Sequence, residues 1–426
     1  MGLSSTLYSG ISGLQTNAEA MSVTGNNISN SNTVAFKSSS TVFADMLSAT
    51  ISSSSTGYNQ VGRGTELSTV STNFTQGSFQ STSNDTDLAI EGDGFFMLSG
   101  ADSAETFYSR NGAFDFDADG YLVNTDGYRV QGQLFDADGS AGGGDPTDIQ
   151  INFTSQIAAN PTSSIVLTTN LNSGEEVIAG GFLTDDPATS SNYSTSTQIY
   201  DALGETHLAT TYFTKTDEQE WAWNTVVNSD ELDVSVADTT DVTVIGTGTL
   251  YFEDDGELIG DSVFSLDYLS SLTWDNGADS TQAIEIDFAT TQFSSSSVVF
   301  SQSQDGYAPG EVVDTSIDSS GVVSISYSNG ESIDIATLTL ATFSNPSGLE
   351  KEGSSMYSAG IYSGDPQIGT PGASQGFLYT NSLELSNVDL SQEFVDMITI
   401  QNGYSASSKV ITTTDEMLQE VISLIR

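Results

Sequence analysis

The last stretch of the chain, residues 383–426, most constrains how this sequence can fold. A strict seven-residue period there is typical of a helix that packs lengthwise on another helix. A helix starting at residue 390 would be about 54 Å long at about 1.5 Å per residue. A terminal helix of this length requires a partner. The residues that recur every seven positions are Met397, Tyr404, Ile411, Leu418 and Ile425.

The start of the chain supplies a candidate partner, a second predicted heptad helix over residues 3–29. It contains three glycines, and each costs up to about 1 kcal/mol inside a helix. We therefore expect it to be marginal alone in water. On periodicity alone, the two helices form either a coiled coil within one chain or a contact with neighbouring copies. The repeating residues of this helix are Leu7, Leu14, Met21 and Ile28.

An asparagine-rich segment follows the N-terminal helix. Four asparagines and two serines lie between residues 26 and 32. Their side chains form hydrogen bonds with the local backbone, which favours caps and turns over helix. The segment therefore predicts a turn by which the chain leaves the helical region.

The region between the two ends is predicted to be β-rich. Only 15% of the residues are charged, 37% are hydrophobic, and 40 are glycine, a composition typical of strands and turns. The predicted fold is mainly β with α-helical termini, in which nested β domains are inserted between two terminal heptad helices that pack as a coiled coil. The predicted parts are 1–33 with 385–426 (terminal helical domain), 34–72 with 371–384 (irregular or β linker), 73–150 with 313–370 (inner β domain) and 151–312 (one or two outer β domains).

The net charge of −49 restricts the partners of the chain. Such acidity argues against binding to nucleic acid and to anionic membrane surfaces. The terminal segments 1–50 and 383–426 contribute only −1 and −5, as expected of surfaces that meet copies of themselves. No run of 18 apolar residues predicts a membrane span. The N-terminus lacks the basic flank and apolar block of a cleaved signal peptide.

The sequence predicts neither an enzyme nor a cofactor. His207 is the only histidine, and there is no cysteine, so a zinc site of histidine and cysteine ligands is excluded within one chain. No GxSxG or P-loop motif is present. The carboxylates are so numerous that no pair stands out as an acid–base couple.

A segment from residue 115 to residue 126 matches part of an EF-hand calcium loop. Phe114 and Phe116 alternate with the acids as in a strand, however, and Asp-Gly hairpin turns explain the same letters. We therefore predict no metal, with calcium binding as the alternative. The acids of this segment are Asp115, Asp117, Asp119 and Asp126.

Several blocks in order along the chain resemble the rod and hook axial proteins of the bacterial flagellum. Residues 25–37 (GNNISNSNTVAFK) resemble the N-terminal signature, although the family usually has glycine at the position of Ala35. Residues 87–96, 108–114 and 383–390 are similar to further family blocks. The resemblance marks five residues as the signature turn: Asn26, Asn27, Asn30, Asn32 and Phe36.

Two features favour the hook members of this family over the distal rod members. Residues 198–207 (QIYDALGETH) resemble a block of the hook outer domain. The middle insertion, residues 151–312, is also larger than the rod proteins have. The alternatives are a distal rod-type protein and a secreted β-rich adhesin or calcium-binding surface protein.

The resemblance implies an extracellular structural subunit that leaves the cell through the flagellar type III export apparatus. Its copies would form a curved, flexible helical tube, with the terminal helices innermost, that passes torque from rod to filament as a universal joint. The implied partners are other copies, the distal rod protein, the hook cap, the hook–filament junction protein and the hook-length control protein.

Because the terminal helices should need neighbours, we expect the isolated monomer to have low helicity that rises on polymerisation. Circular dichroism at 222 nm before and after polymerisation measures this change. A monomer that is already as helical as the polymer would contradict the prediction.

Overall fold

The computed structural model shows a mainly β protein with an α-helix at each end, as the sequence predicted. It describes residues 2–54, 57–100, 105–135, 144–153, 156–233, 241–259, 273–278, 282–372 and 374–424.

The two terminal helices pack against each other. Helix α1 is Gly2–Ser29 and helix α2 is Leu390–Leu424. Asp389 caps the start of α2, since its Oδ1 accepts hydrogen bonds from the backbone N–H groups of Ser391 at 2.9 Å and Gln392 at 3.3 Å. Such a cap satisfies backbone donors that have no partner inside the helix.

The chain divides into two compact units. Unit 1 contains Met1–Phe153, Thr315–Ile325 and Ile333–Arg426, and unit 2 contains Thr154–Asp314 and Ser326–Ser332. Both chain ends therefore belong to the same unit. The finer division into four predicted parts stays a prediction.

The chain forms 29 named strands in its described part. The strands before residue 150 are β1 (Ser39–Asp45), β2 (Ala49–Ser54), β3 (Gly57–Val61), β4 (Thr65–Thr72), β5 (Phe79–Ser81), β6 (Leu88–Glu91), β7 (Phe95–Ser99), β8 (Thr106–Ser109), β9 (Phe114–Phe116), β10 (Leu122–Asn124), β11 (Arg129–Leu134) and β12 (Thr147–Asp148). The next eight are β13 (Ser164–Asn172), β14 (Tyr193–Tyr200), β15 (Thr206–Asp217), β16 (Glu220–Asn228), β17 (Val242–Tyr251), β18 (Glu285–Phe288), β19 (Thr291–Phe293) and β20 (Val298–Gln304). The last nine are β21 (Val312–Ile317), β22 (Val322–Tyr327), β23 (Ser332–Leu338), β24 (Leu340–Thr342), β25 (Glu350–Gly353), β26 (Met356–Ser358), β27 (Gln367–Gly369), β28 (Phe377–Thr380) and β29 (Ser382–Glu384).

In unit 1, strands from the beginning and the end of the chain pair with each other. Strand β28 pairs with β6 and β29 pairs with β5, both antiparallel. The largest sheet has the order β21-β22-β23-β11-β7-β8-β26-β25. An aromatic cluster fills its core, with Phe95 about edge-on to Phe343 at a centroid distance of 5.9 Å. Separately, β1 pairs with β4 and β2 with β3, so these four strands form a long antiparallel hairpin within residues 39–72.

Unit 2 contains two four-stranded sheets. One is antiparallel with the order β14-β15-β16-β17, and in the other β13 pairs with β18, β19 and β20. Strand β16 places Trp221 and Trp223 in the core. His207 stacks on Trp274 at a centroid distance of 3.6 Å. Both nitrogens of its ring face carboxylates, so it ties together neighbouring segments of this core.

Gly248 in β17 lies opposite Trp223 in β16. A methyl group there would lie 2.7 Å from Trp223 Nε1, so Gly248→Ala should lower the free energy of unfolding of unit 2 by about 1–3 kcal/mol. All three tryptophans of the chain lie in unit 2, so tryptophan fluorescence during urea unfolding reports on this unit. Gly180→Ala is the matched control, because a methyl group at Gly180 meets nothing within 4 Å. Equal unfolding midpoints for the two variants would contradict the packing described.

Candidate assembly site at the paired chain ends

The contact between α1 and α2 is built on small residues. A methyl group on Gly10 would lie 2.8 Å from Ile411 Cγ1, and one on Gly13 would lie 2.7 Å from Ser407 Oγ. On the opposite helix, a methyl group on Gly403 would lie 2.7 Å from Asn17 Oδ1. Two of the three glycines that weaken α1 as an isolated helix therefore allow the two helices to approach closely, in an antiparallel arrangement.

The predicted heptad residues differ in their relation to this contact, and Ile411 lies within it against Gly10. Tyr404 is 44% exposed, and Ile425 lies outside the described residues. The buried positions on the two helices are instead small or polar, among them Ala20, Thr24 and Thr414. The half-buried heptad residues are Leu7, Leu14, Met21, Ile28, Met397, Ile411 and Leu418.

Asn27 joins three segments at the end of α1. Its Nδ2 donates to Ser39 O and to Glu393 Oε1, both at 2.8 Å, and its Oδ1 accepts from Ser39 N–H at 3.0 Å. Burial raises the pKa of Glu393, and the hydrogen bond from Asn27 opposes that rise. A buried, fully used amide of this kind fixes the direction in which the chain leaves the helix.

The other residues of the signature turn contribute less. Asn30 Nδ2 donates to Asn26 O at 2.9 Å, which closes the end of the helix. Asn32 is exposed. Phe36 is half-buried, and Lys351 Nζ lies 5.8 Å from the centroid of its ring.

Ala35 occupies a backbone conformation that glycine adopts more easily. Its φ is +57°, it is fully buried, and its N–H donates to Glu384 O at 2.8 Å. The left-handed region costs a residue with a Cβ about 1–2 kcal/mol. The geometry gives a physical reason for the glycine that the resembling family usually has here.

A buried ionic cluster lies between the signature turn and the segment that precedes α2. Lys37 Nζ is 2.7 Å from Glu384 Oε1 and donates to Thr75 O at 2.9 Å. Glu384 Oε1 also accepts from Gly77 N–H at 2.8 Å. Both charged side chains are fully buried, so each depends on the other for compensation.

Arg110 completes this cluster from the β sheet side. Its Nη1 lies 3.8 Å from Glu384 Oε2, and its Nη2 donates to Gly92 O at 2.7 Å. Burial lowers the pKa of Lys37 and of Arg110, and the Glu384 carboxylate opposes both shifts. Burial also raises the pKa of the adjacent Tyr357 to about 12. The cluster links the segment after α1, the inner strands and the segment before α2.

Lys37, Arg110 and Glu384 lie in the segments that resemble the family, but the sequence alone assigned no role to them. The signal that could have identified them was the scarcity of basic residues, because the chain has only eight lysines and arginines. A basic residue inside a short motif of so acidic a chain is expected to have a specific partner. Which acid it pairs with depends on tertiary structure, since Lys37 and Glu384 are separated by 347 positions.

The aspartates of the calcium alternative lie in the hairpin formed by β9 and β10 and in the turn after it. Asp117 Oδ1 accepts hydrogen bonds from the N–H groups of Asp119 at 3.0 Å and Tyr121 at 2.8 Å. Gly120 follows with a φ of +82°. Asp115 lies in β9, and Asp126 lies in the turn between β10 and β11. The Asp117 carboxylate thus stabilises a turn.

Two kinds of feature are absent from the described part of the chain. No group of three or more histidine, aspartate or glutamate side chains is arranged there to hold a metal ion. Neither described helix combines the length and apolarity that a membrane crossing requires.

Helix α2 carries large apolar side chains that are exposed outside its contact with α1, and we call this exposed surface the outer face of α2. Six of them are more than half exposed, all on one helix of a strongly acidic chain. Exposed apolar surface of this extent marks an interaction site. These residues are Phe394, Val395, Ile398, Met417, Ile422 and Leu424.

Four protein-family models match successive parts of the chain. Residues 7–37 match the flagella basal body rod protein model, and residues 89–166 match the D1 domain of flagellar hook protein FlgE/F/G. Residues 170–307 match the D2 domain of flagellar basal body protein FlaE. Residues 379–424 match the C-terminal model of the flagellar basal body rod FlgEFG proteins.

Similar proteins span the whole chain. The flagellar hook protein FlgE of Borreliella burgdorferi is 33% identical, over 98% of this chain and 99% of that protein. The Treponema pallidum protein of the same name is 34% identical over 99% of each, and the Escherichia coli one is 32% identical over 97% and 98%. A crystal structure of Helicobacter pylori flagellar hook protein FlgE2 covers 71% of this chain and 100% of that one, with a TM-score of 0.48 and 16% identity.

Replacing Glu384 should loosen the base of the helices. Glu384→Gln leaves Lys37 and Arg110 buried without a counter-charge, which costs about 3–5 kcal/mol. Hydrogen-exchange mass spectrometry should show amides of residues 34–38 and 382–386 exchanging at least about 100-fold faster.

Two controls accompany this measurement. Glu350→Gln makes the same chemical change at an exposed position of unit 1 and should leave exchange unchanged. Tryptophan fluorescence should show unit 2 unfolding as in the original protein. Exchange in Glu384→Gln that matches the Glu350 control would refute the role of the cluster.

Proposed function

This chain belongs to the flagellar hook protein family as a structural subunit of the hook, and we propose that its copies polymerise into a curved, flexible helical tube. The tube transmits torque from the rod to the filament as a universal joint. The observation that carries this proposal is the apolar outer face of α2, which a single copy leaves uncovered.

The geometry of the paired helices supports a polymer and not a closed pair of helices. The small-residue contact uses one face of α2, while large side chains such as Val395 and Ile398 lie on other faces. These side chains bury apolar surface only when further copies pack around the helix. A head-to-tail contact between identical copies that does not close into a ring generates a helical filament.

The distribution of charge supports bending. The helical ends carry little of the net charge of −49, which lies mainly between residues 51 and 382. Strongly charged, polar surfaces form wet and weak contacts. We therefore propose that the β-rich middle region of one copy slides against its neighbours while the helical layer stays packed.

We also propose the route and partners that the family implies. The chain leaves the cell through the flagellar type III export apparatus without a cleaved signal peptide. It then meets the distal rod protein, the hook cap, the hook-length control protein and the hook–filament junction protein. The absence of cysteine supports passage as an unfolded chain, because no disulfide has to form afterwards.

The proposed role is purely structural. His207, the only histidine in the sequence, lies buried against Trp274 with Glu231 Oε2 at 2.8 Å from its Nδ1. This arrangement explains its conformation by packing and hydrogen bonding, without a catalytic role.

Electron microscopy of basal bodies from a deletion strain tests the proposed function. We expect complete rods without hooks, and hooks that return when the gene is supplied again. Normal hooks in the deletion strain would contradict the proposal. Incomplete rods would identify a distal rod-type protein instead.

Single charges placed at the helix pair should block assembly. Leu14→Asp and Leu418→Asp each put a carboxylate on a half-buried heptad position, where burial of an unpaired charge costs several kcal/mol. Both variants should fail to form hooks, although tryptophan fluorescence shows unit 2 still folded. Hooks of normal length from either variant would contradict the prediction.

A further inference from the structure

The basic residues of this chain are nearly all occupied within one copy. Lys37 and Arg110 surround Glu384, and Arg129 pairs with Asp148 at 3.4 Å. Lys215 Nζ donates to Ser173 O at 2.6 Å, and Lys351 Nζ donates to Ser39 Oγ at 2.9 Å. Within the described residues, two cationic side chains remain with no hydrogen bond or ion pair: Arg63 and Lys409.

Arg63 lies at a groove between α1 and the hairpin of residues 39–72. The groove has a volume of about 690 Å³. Its walls mix apolar and polar side chains, and the apolar ones include Tyr8 and Ile11 from α1 and Met46 and Leu47 from the hairpin. Leu47 is 90% exposed and Tyr8 is 69% exposed, so one copy leaves these walls open to water.

The α2 helix of the same copy does not fill this groove. It packs on the face of α1 that carries Gly10 and Gly13, and the residues that line the groove come from α1 and residues 46–67. A groove of this size, with apolar and charged side chains beside a packed helix pair, fits another helix with matching apolar and charged positions.

One flank of α2 has this pattern. Val410, Met417 and Leu424 lie seven residues apart and are 39%, 60% and 77% exposed. Lys409 and Glu416 each precede a member of this row by one residue, so they border the same side of it. The flank therefore presents an apolar row edged by one cation and one anion.

We propose that the groove receives this flank of α2 from a second copy of the chain, with Arg63 paired to Glu416 of that copy. The proposal rests on the proposed function, because it names one contact within the polymer. Charge complementarity supports it: copies with a net charge of −49 repel, so a contact between them is favoured when Arg63, which pairs with nothing in the described part of its own copy, meets an acid at the edge of an apolar row. The same docking brings Lys409 toward the groove acids Glu19 and Glu66.

A charge exchange in the complemented deletion strain tests this pairing. Arg63→Glu and Glu416→Arg should each reduce the number of hooks about tenfold or more, because like charges then meet in the contact. Arg63→Glu combined with Glu416→Arg should restore the hooks. The matched control is Arg63→Glu combined with Asp415→Arg, which has the same net charge but places the arginine on a different side of α2, and it should not restore them.

Each outcome of this experiment supports or refutes the proposed contact. Normal hooks from Arg63→Glu would refute the groove as a contact, and rescue by both double variants would reduce the effect to net charge. Failure of both double variants would mean that the groove binds something other than this flank. A normal amount of secreted subunit shows that a variant is exported, and a circular dichroism spectrum like that of the unaltered chain shows that it is folded. If the unaltered chain fails to restore hooks, the proposed function itself fails.

Discussion

The structure depends on a carboxylate buried between two cations where the chain ends meet. Glu384 has Lys37 on one side and Arg110 on the other, all three buried. Placing three ionised groups out of water is costly, and it is compensated only while all of them keep their positions. The cluster therefore fixes the turn after α1 and the start of α2 relative to the inner strands, which defines where the two long helices leave the β region.

The surfaces of the two helices have two different roles. The face with Gly10, Gly13 and Gly403 brings α1 and α2 close together within one copy. The faces with Val395, Ile398 and Met417 are left open. If large residues filled the contact between α1 and α2, that contact would already bury most of the apolar surface of the two helices. The use of small residues inside and large residues outside leaves most of the available burial energy for contacts between copies.

Much of the fold followed from sequence pattern. The seven-residue period predicted both terminal helices, and Asp-Gly pairs predicted the turns at Gly120 and Gly127, where φ is positive. The period did not show which face of each helix is buried, because a heptad does not distinguish a seam within a copy from one between copies. The Lys37–Glu384 pair was missed, since its two residues lie 347 positions apart and meet only in the tertiary structure.

A helical reconstruction of the hook by electron cryomicroscopy tests the central claim most directly, namely that the outer face of α2 is an interface between copies. The account predicts that Val395, Ile398 and Met417 each lie within about 4 Å of apolar atoms of neighbouring copies. A tube in which these side chains face open solvent, while copies meet only through their β regions, would contradict it.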